Sequence, residues 1–156
     1  MKGTHSIGSR DEDGFVSTSS SEPVAATFVY RKPSAFVYKI HVTPNLIDTV
    51  GTLGKYSDFD EESEFAALGG IKYEQIVSWR PLNGRTLGNP IRNKDFDKRK
   101  YGSGVAGGVQ YQLAGFPPNH EAWREEPWKS HKPSKRDIGK KPGFGLNFLK
   151  VCLVRP

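Results

Sequence analysis

The chain has one cysteine, Cys152. That excludes an intramolecular disulfide and a cysteine-based zinc site. Histidine is almost as scarce. His5, His41, His120 and His131 form no HxxxH-type pair, so no metal site is expected. No window approaches the roughly 20 consecutive apolar residues of a membrane span. The opening residues, MKGTHSIGSRDEDGF, hold no apolar core of a signal peptide. An excess of basic charge is lacking everywhere but at one end. Of 23 Lys/Arg and 17 Asp/Glu in the chain, eight basic residues and one acid lie from Lys129 onward. The body upstream is close to neutral, and the segment 129–156 carries the whole excess. Its run SHKPSKRDIGKKPG is interrupted by Pro and Gly, which reads as a flexible arm. A nucleic-acid-binding fold would spread basic side chains over a structured face. A weak, salt-sensitive contact with nucleic acid is what such an arm would give.

What is present fits one loop-rich domain: 156 residues, 35% apolar, with 17 Gly and 11 Pro. Gly14 to Ser19 suits a strand, with Ser17 and Ser19 on one face and Thr18 on the other. Ser21 can cap a helix running from Glu22-Pro23 to about Tyr30. Ala35 to Val42 alternates, which predicts a strand with Phe36, Tyr38, Ile40 and Val42 on its apolar face and Val37, Lys39 and His41 on its wetter one. Leu46 to Leu53 is expected to form one or two helical turns. Tyr73 to Arg80 reads as a returning strand, and Arg80 to Lys100 as loop. Gly102 to Gly107 matches G-x-G-x-x-G, but it follows a charged run and opens no helix, so the dinucleotide-fold reading fails on context. Leu113 to Trp128, LAGFPPNHEAWREEPW, is a turn-rich stretch whose aromatics are expected to pack against the body.

The most informative stretch is Tyr56 to Gly70, YSDFDEESEFAALGG. A strand through Glu62-Ser63-Glu64 would aim both carboxylates at one site, about 6 to 7 Å apart. At an effective dielectric of about 20 their repulsion is about 2.5 kcal/mol, enough for the pair to titrate as a unit. Such a pair can divide labour between an ionised carboxylate and a base. The same spacing also suits a solvated acidic turn before a core strand. Tyr56 and Phe59, on the loop just before it, are candidate substrate contacts or plugs for the local core.

Taken together, GFVSTSSS (14–21), FVYKIHVTPN (36–45), YSDFDEESEFAALGGIKYEQIVSW (56–79) and LAGFPPNHEAWREEPW (113–128) resemble the ADP-ribosylating enterotoxin A subunits, cholera toxin and heat-labile enterotoxin with their fungal relatives. The likeness runs in order from about Gly3 to Trp128. It implies an α+β fold, a split β-sandwich with short peripheral helices around an NAD cleft. It also implies a secreted, NAD-consuming mono-ADP-ribosyltransferase toxin that modifies arginine on a host protein. The family's Ser-Thr-Ser motif matches Ser17, Thr18 and Ser19, assigned to the NAD site, with Ser17 holding Glu64. Its Glu-x-Glu motif matches Glu62 and Glu64. Glu64 would stabilise the oxocarbenium-like charge, and Glu62 would activate the acceptor. Tyr56 and Phe59 would lie on the acceptor-recognition loop.

The likeness also sets expectations about limits. Residues 1–128 are expected to form the transferase domain and 129–156 a basic tail. The family's first strand, with an arginine that anchors the dinucleotide phosphates, finds no match, so the chain is expected to be N-terminally truncated relative to the family. No counterpart of the helix that threads a B pentamer is visible, and no such partner is expected. A catalytically inactive binding module of the same fold stands as the alternative.

Overall fold

The computed structural model describes residues 14–30, 32, 34–58, 61, 63–134 and 150–152. In chain order its regular elements are β1 (Phe15–Ser19), α1 (Glu22–Thr27), β2 (Phe36–Ile40), β3 (Leu46–Asp48), α2 (Thr49–Leu53), β4 (Glu64–Leu68), β5 (Ile76–Asn83), β6 (Thr86–Leu87), β7 (Ile91–Arg92), α3 (Lys98–Tyr101) and β8 (Lys150–Cys152), with short 3-10 turns between some of them. Two small sheets result. The first has the order β3-β4-β1-β8, antiparallel except for the parallel β1–β8 pair. The second is centred on β5, which pairs with β2, β6 and β7.

Strand alternation decides which residues join the sheets. Val16 of β1 and Phe65 and Ala67 of β4 point toward the second sheet. There they meet Ile40, Leu46, Tyr38 and Ile76 in the main core. Ile40, Leu46 and Ala67 are fully buried, and each of the two larger side chains contributes about 1.5–3 kcal/mol by leaving water. The opposite face of the first sheet carries Phe15, Ile47 and Ala66, packed with Leu113. α1 starts where the Ser21 hydroxyl accepts from the Val24 N–H at 3.5 Å and lays Ala25 and Ala26 on Val37. Glu22, in its first turn, pairs with Arg80 of β5 at 2.7 Å.

This is the α+β sandwich architecture expected, and several local expectations need correction. The helix after Ser21 is regular only to Thr27, with turns to Tyr30. Val37, expected on the wetter face of β2, is buried at 4% exposure, whereas Phe36 is 44% exposed. α1 covers the Val37 side, a tertiary fact that alternation cannot encode. Leu46 to Asp48 is strand rather than helix because it pairs with Ala67, Ala66 and Phe65 of β4. The helix begins only at Thr49, with Asp48 accepting from the Gly51 N–H at 2.8 Å as its cap.

The region from Arg80 to Lys100, expected as loop, holds the end of β5, a hairpin to β6 and the short elements β7 and α3. Asn93 organises it. Its side chain is buried and donates to the Tyr73 and Ile76 carbonyls at 3.0 and 2.8 Å. The Gly102–Gly107 cluster opens no helix. Gly104 and Gly107 sit so close to the Val42 and Pro44 carbonyls that a Cβ at either would overlap them. The Gly107 N–H donates to the Leu46 carbonyl at 2.9 Å. These glycines serve a close backbone crossing.

The segment expected as a tail is structured in two places. Trp128–His131 forms a turn whose tryptophan is buried. Lys150–Cys152 returns to pair with β1. Residues 135–149 and 153–156 lie outside the described residues. Among the described residues, no helix is long and apolar enough to cross a membrane.

Candidate active site

β1 and β4 bring the Ser-Thr-Ser and Glu-x-Glu stretches together. Ser19 stands directly opposite Glu64, and Ser17 opposite Ala66. Ser17 and Glu64 are therefore diagonal neighbours on one face, within side-chain reach. The Ser17 hydroxyl donates a short hydrogen bond to Glu64 Oε1. Ser17 is fully buried, while Glu64 is half-buried. The carboxylate is thus fixed from below by a neutral hydroxyl, and its other oxygen carries no hydrogen bond among the described residues. A hydrogen bond to an ionised oxygen is about twice as strong as a neutral one.

The three hydroxyls of the motif divide their work. Thr18 faces away from Glu64 and donates to the Phe65 carbonyl at 2.6 Å, tying β1 to β4. Ser19 accepts from the Ser21 N–H at 3.1 Å and so orders the turn into α1. Only Ser17 reaches the carboxylate. The pairing of β1 with β4 is extended by the Ser20 N–H, which donates to the Ser63 carbonyl at 3.1 Å.

Glu62 and Phe59, both expected in the site, lie outside the described residues. β4 begins at Glu64, and Ser63 adopts a left-handed backbone with φ of 45°.

Tyr56 ends a 3-10 turn, Gly54–Tyr56, and its ring belongs to an aromatic cluster. It meets His120 at 4.8 Å, Phe116 at 5.3 Å and Trp128 at 5.4 Å between ring centroids, all edge-on. Its hydroxyl is buried without a hydrogen-bond partner among the described residues, and burial pushes its phenol up from the ordinary tyrosine value. Lys55 lies over the ring at 5.1 Å. The hydrogen bond to Glu125, 2.6 Å away, raises the Lys55 ammonium above its ordinary value. Trp128 anchors the cluster by donating from Nε1 to the Thr52 carbonyl at 2.7 Å. The stretch from Leu113 to Trp128 thus packs on the body, as its composition leads one to expect. The 3-10 turn Tyr111–Leu113 serves both regions: Tyr111 joins the aromatics, and Leu113 packs beneath the face that carries Ser17 and Glu64.

Two contributors were not foreseen. Ile47 supports the face of Glu64 from β3, and β8 flanks Ser17 on the far side. The β-branched Ile47 just before the Asp48 cap was the available signal for the first. Nothing in the local sequence signals the partner of β8. Among the described residues, no group of three or more His, Cys, Asp or Glu is placed to hold a metal ion.

A half-buried carboxylate, fixed on one oxygen and open on the other, can stabilise positive charge developing on a bound substrate. A family model described as the heat-labile enterotoxin alpha chain matches residues 1–142. The chain is 39% identical over 139 residues to the A subunit of the cholera enterotoxin of Vibrio cholerae, covering 85% of this chain and 54% of that protein. It is 37% identical over 139 residues to the heat-labile enterotoxin A chain of Escherichia coli, again covering 85% and 54%. A third relative, an NAD(+)--arginine ADP-ribosyltransferase of Vibrio cholerae, is 35% identical over 153 residues, covering 94% of this chain and 24% of that one. The chain thus spans about half the length, or less, of these relatives. Among solved structures, an inactive point mutant of Escherichia coli heat-labile enterotoxin superposes with a TM-score of 0.74 at 37% identity, covering 85% of this chain and 75% of that one.

Proposed function

The chain belongs to the heat-labile enterotoxin alpha chain family, and on that premise we propose that it is an NAD-dependent mono-ADP-ribosyltransferase that modifies arginine on a host protein. The observation that carries this reading is the hydrogen bond from buried Ser17 to Glu64 across β1 and β4. It is supported by an arginine-specific transferase among the relatives. NAD enters as co-substrate. The protein is read as a secreted toxin or effector, in keeping with the enterotoxins it resembles.

In the reaction, the bond between the ribose C1′ and the nicotinamide nitrogen breaks. Its electron pair passes to the nicotinamide ring, which leaves neutral, and positive charge spreads over C1′ and the ring oxygen of the ribose. Glycosidases meet the same problem with a carboxylate. Glu64 supplies it here, acting through the oxygen that Ser17 leaves free. An arginine nitrogen of the acceptor then attacks C1′, and the new bond is completed by loss of one proton. Guanidinium has a pKa above about 12 and is a poor nucleophile until a base takes or shares that proton. Glu62 is assigned this task, and Phe59 and Tyr56 the choice of acceptor. For Tyr56, whose ring is held in the aromatic cluster, this means shaping the loop ahead of β4 rather than offering a free side chain. Thr18 and Ser19 hold the strand on which Ser17 sits.

The test is transfer of labelled ADP-ribose from NAD to an arginine-rich protein, with nicotinamide release measured alongside. The parent chain is expected to label the acceptor, and Glu64→Gln to abolish labelling without unfolding. Equal labelling by that variant would remove Glu64 from its role. No NAD consumption by the folded parent would leave the non-catalytic binding module as the surviving reading.

A further inference from the structure

The reaction described above draws on β1 and β4 alone, yet β3 and α2 bring a further hydroxyl to the same face. β3 pairs with β4 as Leu46–Ala67, Ile47–Ala66 and Asp48–Phe65. One step further along these antiparallel chains stand Thr49 and Glu64, side by side. Asp48 keeps an extended backbone before α2 begins, so strand alternation carries on from Ile47 to Thr49. Ile47 packs with Phe15 and Ala66, on the face that holds Ser17 and Glu64, and Thr49 follows it there. α2 lies against β4, and Thr49 is closed in at 4% exposure.

The polar side chains on either side of Thr49 have their hydrogen bonds. The Asp48 carboxylate accepts from the Gly51 N–H at 2.8 Å. The Thr52 hydroxyl donates to the Asp48 carbonyl at 2.5 Å and accepts from the Gln110 N–H at 3.0 Å. The Thr49 hydroxyl is buried and has no partner among the described residues. Burying a hydroxyl without a hydrogen bond costs stability, and a valine would fill the same space without that cost. The unmet donor lies beside a carboxylate whose second oxygen is likewise free. Catalytic hydrogen bonds are often open in a ligand-free protein and close in the substrate complex.

We infer that Thr49 is a positioning residue for Glu64: with NAD bound, its hydroxyl donates to the carboxylate oxygen that Ser17 leaves free. The inference rests on the transferase reading proposed above. A carboxylate tied at one oxygen still turns about that bond, and a second tie, from β3, fixes its plane. A carboxylate oxygen accepts more than one hydrogen bond, so the same oxygen keeps a lone pair for the ribose.

Two variants of the full chain separate the hydroxyl from the space it fills. Thr49→Val removes the hydroxyl and keeps the shape, and Thr49→Ser keeps the hydroxyl. Nicotinamide release gives kcat and KM for NAD, and thermal unfolding without ligand gives the stability. Thr49→Val is expected to lower kcat about tenfold or more with KM close to parental. Its thermal midpoint should be no lower than the parent's, and about 2–4 °C higher where the unmet hydroxyl is relieved. Thr49→Ser should recover most of kcat. Parental kcat in Thr49→Val would overturn the inference and leave the transferase reading standing. A fall in kcat accompanied by a lowered midpoint and no recovery in Thr49→Ser would also overturn it, since the residue would then serve packing alone. A folded parent that consumes no NAD would defeat the transferase reading and this inference with it.

Discussion

Two neighbouring regions of this molecule are rich in residues that could bind a ligand, and they are built on opposite principles. Around Trp128, the rings of Tyr56, Tyr111, Phe116, His120 and Trp123 fill one another's space, edge to face except where Phe116 and His120 stack. Around Ser17, small side chains make a floor for a single carboxylate. The aromatic region gains its stability from packing and has few polar groups left to offer. The Ser17 region buries hydroxyls at a cost in stability and fixes one reactive group. Aromatic density therefore marks the scaffold here, and the proposed chemistry sits where the side chains are smallest. The turn Tyr111–Leu113 touches both, so damage to one region could reach the other, and mutation can show whether it does.

The largest effect is expected from Trp128→Ala. Truncating a buried tryptophan costs about 3–5 kcal/mol, and here the bond to the Thr52 carbonyl is lost as well. Chemical denaturation should show this loss, while nicotinamide release per folded molecule stays near parental. A fall in turnover as deep as that of a Glu64 variant would erase the distinction between the regions. Glu64→Gln should do the reverse. Turnover is expected to fall about 10²–10³-fold, the range for removal of one transition-state stabiliser, with the unfolding midpoint nearly unchanged.

Ser17→Ala comes next. Loss of a hydrogen bond to a charged group is worth about 1.5–3 kcal/mol, so single-turnover rates should drop about 10- to 100-fold. Thr18→Val sharpens the comparison within the motif itself. It removes the bond to the Phe65 carbonyl and should cost about 0.5–1.5 kcal/mol of stability with little change in rate. A rate loss equal to that of Ser17→Ala would mean that the two hydroxyls are not divided as described. The smallest effect belongs to Lys55→Met on the rim of the aromatic cluster. Because Glu125 raises the Lys55 ammonium, the stabilisation from that pair is fully present at neutral pH. It is lost as pH rises beyond the ordinary lysine value of 10.5 and through the raised one. Thermal midpoints of parent and variant should differ little at pH 7 and converge at high pH, as exposed pairs do.

Much of this was legible in the sequence, for reasons that differ by element. Ser17 and Glu64 stood out because short hydroxyls and a Glu-x-Glu motif lie in segments whose resemblance runs well beyond the motifs themselves. The strand after Glu64 and the packing role of Leu113 to Trp128 followed from composition. The face assignment of β2 failed at Val37 because α1 covers a side that alternation treats as wet. Leu46–Asp48 was misread because a three-residue edge strand has too few residues to show a period. The shared face expected for Glu62 and Glu64 stays an expectation, because Glu62 lies outside the described residues. β8 was missed because a parallel partner far away in sequence leaves no local trace.

That last pairing also bears on when the site comes into being. The β1–β4 ladder and the β2–β5 ladder join segments of moderate separation, whereas β1 and β8 join residues near opposite ends of the described chain. Closing so long a loop has an entropic cost that is recovered only after the rest of the sheet is in place. β8 should dock late in folding and open early in native-state fluctuations. While it is open, β1 presents an unpaired strand edge, the kind of surface on which chains associate. The same contact that completes the edge of β1 thus also guards the sheet against self-association.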